Sequence, residues 1–207
     1  MPHSQLRTLI FVSALILLAL AAVACSSESE TQDSVGSTTG NYATCEGFIT
    51  AKQMEAETGQ SALTERVRVF DIASIPGLAE SGATANCLIE VFRTVDGDDQ
   101  PAPGDSLTLS IVQFETSDLA LSLFNSTLAS AIITAEQVGD LAEIQQEVVG
   151  SDSYLMDVKS GGIGAIVVYV FDSTFISMSS TADAEGNALL DGQELVNVAE
   201  GVQSRLP

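Results

Sequence analysis

The sequence has no tryptophan, one histidine (at position 3), and 7 lysine and arginine residues against 28 aspartates and glutamates among 207. Each shortage closes a class of function. With His3 the sole imidazole, the body of the chain cannot build a Ser-His-Asp or Cys-His nucleophile, nor a zinc site that depends on histidine. A formal net charge of -21 leaves too few cations to displace counterions from nucleic acid or to hold an anionic lipid surface. No nucleic-acid partner is expected. A serine-lysine pair would have to use Lys52 or Lys159, the only lysines, and Lys159-Ser160 stands in no nucleophile motif. Without tryptophan the chain lacks the strongest platform for stacking a sugar. Paired carboxylates of the glycosidase kind would arise by chance in so acidic a chain. No cofactor and no metal are expected. The acidity itself reads as solubility or a salty habitat, since high net charge keeps proteins dispersed.

Cysteine is also scarce, with Cys25, Cys45 and Cys87 making an odd number. Cys25 ends an apolar run: MPHSQLR, with one firm positive charge, is followed by the uncharged TLIFVSALILLALAAVA, Thr8 to Ala24. A short basic region, an apolar core and a small-residue end are the layout of a secretory signal peptide. The apolar run is at the short limit for spanning a bilayer as a helix, so an uncleaved anchor is one alternative. Ordinary secretion, with an accidental cysteine, is another. Ala22-Val23-Ala24 before Cys25 resembles the lipobox of bacterial lipoproteins, although Ala22 stands where leucine is usual. The resemblance implies cleavage after residue 24, a diacylglyceryl thioether on Cys25 and acylation of the new amino group by a fatty acid such as palmitate. It implies residence on the outer face of the cell membrane. Two acyl chains make such anchoring stable, at about 0.8 kcal/mol per buried methylene.

Cleavage would remove His3 and Arg7, leaving 28 acids against 6 bases. SSESETQDSVGSTTG, Ser26 to Gly40, has one branched apolar residue and no aromatic, so it cannot offset the entropy of ordering. Residues 25-40 therefore read as a lipidated cysteine with an acidic tether, whose r.m.s. span is roughly 20 Å. Residues 41-207 are of single-domain size. With Cys25 assigned to lipid, Cys45 and Cys87 remain as a pair in an oxidising compartment, where a disulfide is expected. Their spacing is not that of a CxxC redox or metal motif.

Within the domain, Thr50 to Gln53 reads as a capping box and Gly59 as a stop, giving a helix over Ala51 to Thr58. Leu63 to Phe70 alternates as a half-buried strand, with Val67 and Val69 on one side and Arg66 and Arg68 on the other. Cys87 to Val95 and Leu107 to Phe114 are further strands, separated by the Gly- and Pro-rich Asp96 to Ser106. Asp118 to Ile132 has helical spacing after a Thr116 or Ser117 cap. Glu136 to Val149 is ambiguous between a short helix and an irregular crossing. Tyr154 to Val158, Ala165 to Phe171 and Thr174 to Ser179 form a meander with a turn at Asp172-Ser173. Asp191 to Glu194 caps a last helix that carries Leu195, Val198, Ala199 and Val202. The expectation is an α+β single domain: a mostly antiparallel sheet of about five to six strands with helices packed on it.

This order, with Cys45 before a short helix, Cys87 on a strand, the unit SLTLSIVQFETSDLALSLF and then VVGSDSYLMDV, is similar to small two-cysteine lipoproteins and extracytoplasmic sensor-like domains of actinobacteria. The resemblance implies a location and an architecture; no catalytic residues come with it. Three groups remain as candidate sites. Asp96, Asp98 and Asp99 are the densest acids, but Asp96-Gly97-Asp98-Asp99 lacks the ligand alternation and distant glutamate of an EF-hand. Gly161-Gly162-Ile163-Gly164 lies between strands, where no helix dipole would hold a phosphate. Arg66, Arg68 and Arg93 are half of the positive charge after residue 24, and could receive an anionic ligand or pair with neighbouring acids. The functional expectation is a membrane-tethered, non-catalytic binding or sensing domain for a small molecule or an envelope protein. A structural or assembly partner in the cell envelope is the alternative. An enzyme, the third reading, would need strongly perturbed carboxylates in a cleft.

Overall fold

The computed structural model describes residues 39-94, 100-158 and 164-207. The signal segment, Cys25, most of the tether, Asp96, Asp98, Asp99, Lys159-Ser160 and Gly161-Gly162-Ile163 lie outside the described residues.

Seven strands form one sheet: β1 (Leu63–Phe70), β2 (Ala83–Thr94), β3 (Pro101–Phe114), β4 (Ala142–Gln146), β5 (Ser153–Val158), β6 (Ala165–Phe171) and β7 (Thr174–Ser180). The spatial order is β1-β2-β3-β7-β6-β5-β4, and every neighbouring pair is antiparallel. The expected five or six strands are thus seven. The additional strand, β4, falls in the ambiguous stretch and is defined by its pairing with β5 from Ala142↔Val158 to Gln146↔Tyr154. Its sequence, AEIQQ, has little intrinsic strand preference.

A second correction concerns Pro101 to Ser106, read from sequence as loop. These residues begin β3, where Pro101 pairs with Thr94 and Ser106 with Phe92 of β2 across a register shift. Proline is tolerated at a strand start or beside a bulge, where its missing N–H removes no ladder bond. Gly104, at φ 83°, makes the irregularity possible: a Cβ there would lie 2.6 Å from the Asn187 carbonyl oxygen.

Among the described residues four helices cover the sheet: α1 (Ala51–Thr58), α2 (Pro76–Glu80), α3 (Ser117–Val138) and α4 (Gly192–Gln203). Thr50 accepts the Gln53 N–H at 3.2 Å and Gly59 closes α1 at φ 74°. At α4 both halves of the capping box form between Asp191 and Glu194. Thr116 caps α3, which runs six residues beyond the expected end at Ile132.

Strand alternation sorts the core into two layers. On one face Cys87, Ile89, Leu107, Leu109, Ile111, Val167, Tyr169, Ile176 and Met178 bury against Met54 of α1 and Leu195, Val198, Ala199 and Val202 of α4. On the other, Val112, Phe114, Tyr154, Met156, Val168 and Phe175 meet Ala120, Phe124 and Ala131 of α3. Each large side chain buried in this way contributes about 1.5 to 3 kcal/mol. The Cys45–Cys87 disulfide ties the segment before α1 to β2 on the first face, with Cα atoms 5.5 Å apart.

Candidate functional site

The second face is covered unequally. α3 packs over β3, β4, β6 and β7, and leaves the β1 and β2 side of that face without a long helix. The register fixes what stands there. Pairing runs Arg66↔Glu90↔Thr108↔Ser179 along one rung and Arg68↔Leu88↔Ser110↔Ser177 along the next. Directly opposed residues project to the same side of a sheet. Two arginines and one glutamate on β1 and β2 and four hydroxyls on β3 and β7 therefore share a polar floor, interrupted by Leu88.

Arg66 Nη1 lies 3.5 Å and Arg68 Nη2 3.3 Å from the same Glu90 oxygen, Oε2. That oxygen is inaccessible to solvent and has no aligned hydrogen bond, so what holds it is charge. The Arg66 guanidinium also sits 5.1 Å from the Phe92 ring centroid, within range of a cation–π contact. The side chains of Arg66 and Arg68 keep 30% and 39% of their surface exposed. Solvent and salt screen such pairs, and each contributes about 1 kcal/mol or less. The arrangement can hold carboxylate-like or phosphate-like oxygens with guanidinium forks.

Arg93 does not belong with them. It pairs with Leu63 in the ladder, one residue out of phase with Glu90 and Phe92, and so projects to the opposite face. There it binds Asp105 and donates to Gln60 Oε1 at 2.8 Å. The three arginines that the sequence gathers near two strands are divided by the sheet into a pair and a structural singleton.

Sequence reasoning passed over Arg205. Its guanidinium, 13% exposed, donates from Nε to the Phe48 carbonyl at 2.7 Å and from Nη1 to Glu57 at 2.9 Å. Its own carbonyl accepts the Gly40 N–H at 2.7 Å. Two residues before Pro207, it fastens the entry segment, α1 and the chain end together. Nothing in its flanking residues signals this, since all its partners are distant in sequence.

Titration is perturbed mainly at tyrosine. Burial raises Tyr154 and Tyr169 well above the ordinary phenol range, and raises Tyr42 less strongly. Tyr169 donates to the Ala199 carbonyl at 3.1 Å inside the first core layer. Asp183, at the surface, is held below the usual carboxylate range chiefly by the Asn187 side chain at 2.8 Å. Among the described residues no three metal-ligating side chains converge. A groove of about 410 Å³ between α1 and α4 is lined by Glu57, Thr58, Glu194, Asn197 and Val198. Its two carboxylates make it a poor anion site, and Arg205, the arginine beside it, is already engaged by Glu57.

No family model matches the chain, and no curated protein matches it. Among solved structures it is similar to the extracellular domain of PknH from Mycobacterium tuberculosis, with 12% sequence identity and a TM-score of 0.48, over 76% of this chain and 91% of that one. The likeness is one of chain path, and no residue role is carried across on it.

Proposed function

We propose that this chain is an extracytoplasmic lipoprotein, tethered to the membrane through acylated Cys25, whose α+β domain binds a ligand without transforming it. The observation that carries the binding role is the pair of rungs Arg66-Glu90-Thr108-Ser179 and Arg68-Leu88-Ser110-Ser177 on the half-covered face. A face that served only to close the core would be apolar at most of those positions, as it is at Val112, Phe114, Val168 and Phe175. The Cys45–Cys87 disulfide supports an oxidising compartment, and Ala22-Val23-Ala24-Cys25 supports lipid attachment. A small anionic molecule or an acidic segment of an envelope protein suits the two guanidiniums.

Two measurements test this. Intact mass after expression in a lipoprotein-processing bacterium should show an acyl adduct in the wild type; Cys25→Ser should lose it and leave the membrane fraction. Unchanged mass and fractionation would remove the anchor. For binding, succinate and inorganic phosphate should raise the thermal midpoint of the wild type and leave Arg68→Glu unmoved; an equal response in both proteins rules out the arginine floor.

The second reading, an assembly partner in the envelope, has one observation in its favour. α3 carries no charge from Leu119 to Ala135 in a chain of net charge -21, and Leu123, Ile132 and Ile133 on it are exposed. That reading requires Ile133→Glu to alter association with envelope complexes while anion binding persists.

A further inference from the structure

The free side of β1 holds backbone groups that the fold does not use. The Leu63 N–H donates to Glu55 Oε1 at 2.9 Å, so at Leu63 the polar backbone groups turn away from β2. Direction alternates residue by residue along a strand, which places the N–H and C=O groups of Glu65, Val67 and Val69 on the same outer edge. Among the described residues no backbone hydrogen bond reaches those three. β1 keeps an unbroken register against β2 from Leu63↔Arg93 to Phe70↔Asn86 and contains neither proline nor glycine. An open edge of this regularity is a template for one more strand.

The side chains on that edge state which strand. Val67 and Val69 project on the α1 and α4 side and are 40% and 50% exposed. Arg66 and Arg68 project on the other side, along the polar floor. A strand laid against β1 would alternate in the same way, meeting valines on one face and guanidiniums on the other. A second copy of this chain is a poor match. Antiparallel self-pairing centred at Arg66, Val67 or Arg68 sets Arg66 against itself, Arg66 against Arg68, or Arg68 against itself. Like charges directly opposed destabilise a strand pair, and two bodies of charge -21 also repel.

We propose that β1 accepts, by strand addition, an extended acidic peptide whose carboxylates lie beside Arg66 and Arg68 and whose alternate apolar residues cover Val67 and Val69. This rests on the binding reading above and names its partner class. Main-chain hydrogen bonds to Glu65, Val67 and Val69 supply sequence-independent attraction, and the alternating side chains supply the selection.

The test uses the full chain in detergent and a fluorescent, end-blocked eight-residue peptide alternating valine and glutamate, read by anisotropy. Its lysine counterpart should bind at least tenfold more weakly. Val67→Pro deletes an outward N–H that the β1–β2 ladder does not need, and should weaken the glutamate peptide at least tenfold while the thermal midpoint stays near the wild type. Arg68→Glu should weaken it comparably. If Val67→Pro fails to fold, a peptide N-methylated at alternate positions replaces it and should lose binding to the wild type. Equal affinity for the two peptides, or no effect of Val67→Pro and N-methylation, overturns strand addition. Succinate or phosphate stabilising the wild type through Arg68, with no peptide bound, overturns strand addition and leaves the binding reading standing.

Discussion

The Cys45–Cys87 cross-link allows a quantitative test of how far this fold depends on its covalent tie. The bond joins residues 42 apart in sequence, and closing a loop of that size removes enough unfolded-state entropy to stabilise the native state by about 4 kcal/mol in the chain-entropy model. Both sulfurs are buried, Cys45 being 1% and Cys87 0% exposed. Replacing each by alanine therefore also removes buried apolar volume, at about 0.5 to 1 kcal/mol per atom. The double variant Cys45→Ala/Cys87→Ala should lose about 5 kcal/mol, a large part of the roughly 5 to 15 kcal/mol that a domain has. In urea at pH 7, followed by circular dichroism, the midpoint should fall by about 2 M for an ordinary denaturant dependence. The thermal midpoint should fall by roughly 10 °C or more. Reductant alone, without urea, should act slowly, because the bond is reached only when the segment before α1 opens. A double variant within about 1 kcal/mol of the wild type would show that the packing of Tyr42, Phe48 and Ile49 fixes this segment without the bond.

Three further perturbations probe other ties. Arg205→Leu strands the Phe48 carbonyl and the Glu57 carboxylate, and should cost about 2 to 3 kcal/mol by urea titration; a change below about 0.5 kcal/mol would mean that the guanidinium is not the clasp described. Desolvation holds the folded pKa of Tyr42, Tyr154 and Tyr169 above the unfolded value near 10. Their contribution is therefore complete below about pH 10 and is lost as pH rises further, at up to 1.36 kcal/mol per unit for each of Tyr154 and Tyr169 and at a lower, solvent-screened rate for the half-buried Tyr42; phenolate absorbance at 295 nm should appear together with unfolding, and early ionisation of all three in the folded state contradicts this. Gly164→Ala would bring a Cβ to 2.4 Å from the Ser180 carbonyl and should destabilise by about 1 to 3 kcal/mol, whereas Gly77→Ala, with nothing within 4 Å, should be neutral or slightly stabilising; equal thermal midpoints for the two variants would refute the close approach at Gly164.

Where local chemistry determines an element, the sequence reading and the structure coincide. Ala51–Thr58, Leu63–Phe70 and Ala165–Phe171 have the expected bounds, because a cap, a strict alternation and a continuous apolar run act within a few residues. β4 was missed because Ala142–Gln146 is a strand only by virtue of β5 beside it. The five-residue α2, PGLAE, was missed because so short a segment has no periodicity to read. Partnership across the sheet was equally illegible. That Cys87, Ile89 and Val91 share a face is visible in β2 alone. That Arg66 and Arg68 lie opposite Arg93 is not, since it follows from the pairing of Leu63 with Arg93 and Arg66 with Glu90. Alternation in β1 also suggests buried valines; at the sheet's edge, beyond full cover by α1 and α4, Val67 and Val69 stay more exposed than the arginines behind them.

Salt should act on the acidic peptide in an unusual direction. At about 10 mM ionic strength the Debye length is about 30 Å, twice the roughly 15 Å radius of a domain this size. An approaching peptide then meets the field of the whole chain, net -21, and is repelled. Near 150 mM the screening length falls to about 8 Å, so distant acids fade while Arg66 and Arg68, at contact distance, are screened much less. Affinity for the glutamate peptide should therefore rise between 10 and 150 mM salt, and fall only at higher concentration, when the arginine contacts themselves weaken. Anisotropy titrations at constant pH measure this directly, with the Arg68→Glu variant as reference. A steady fall from the lowest salt upward would mean that the two guanidiniums outweigh the field of the whole domain, which contradicts the balance of charge described for this surface.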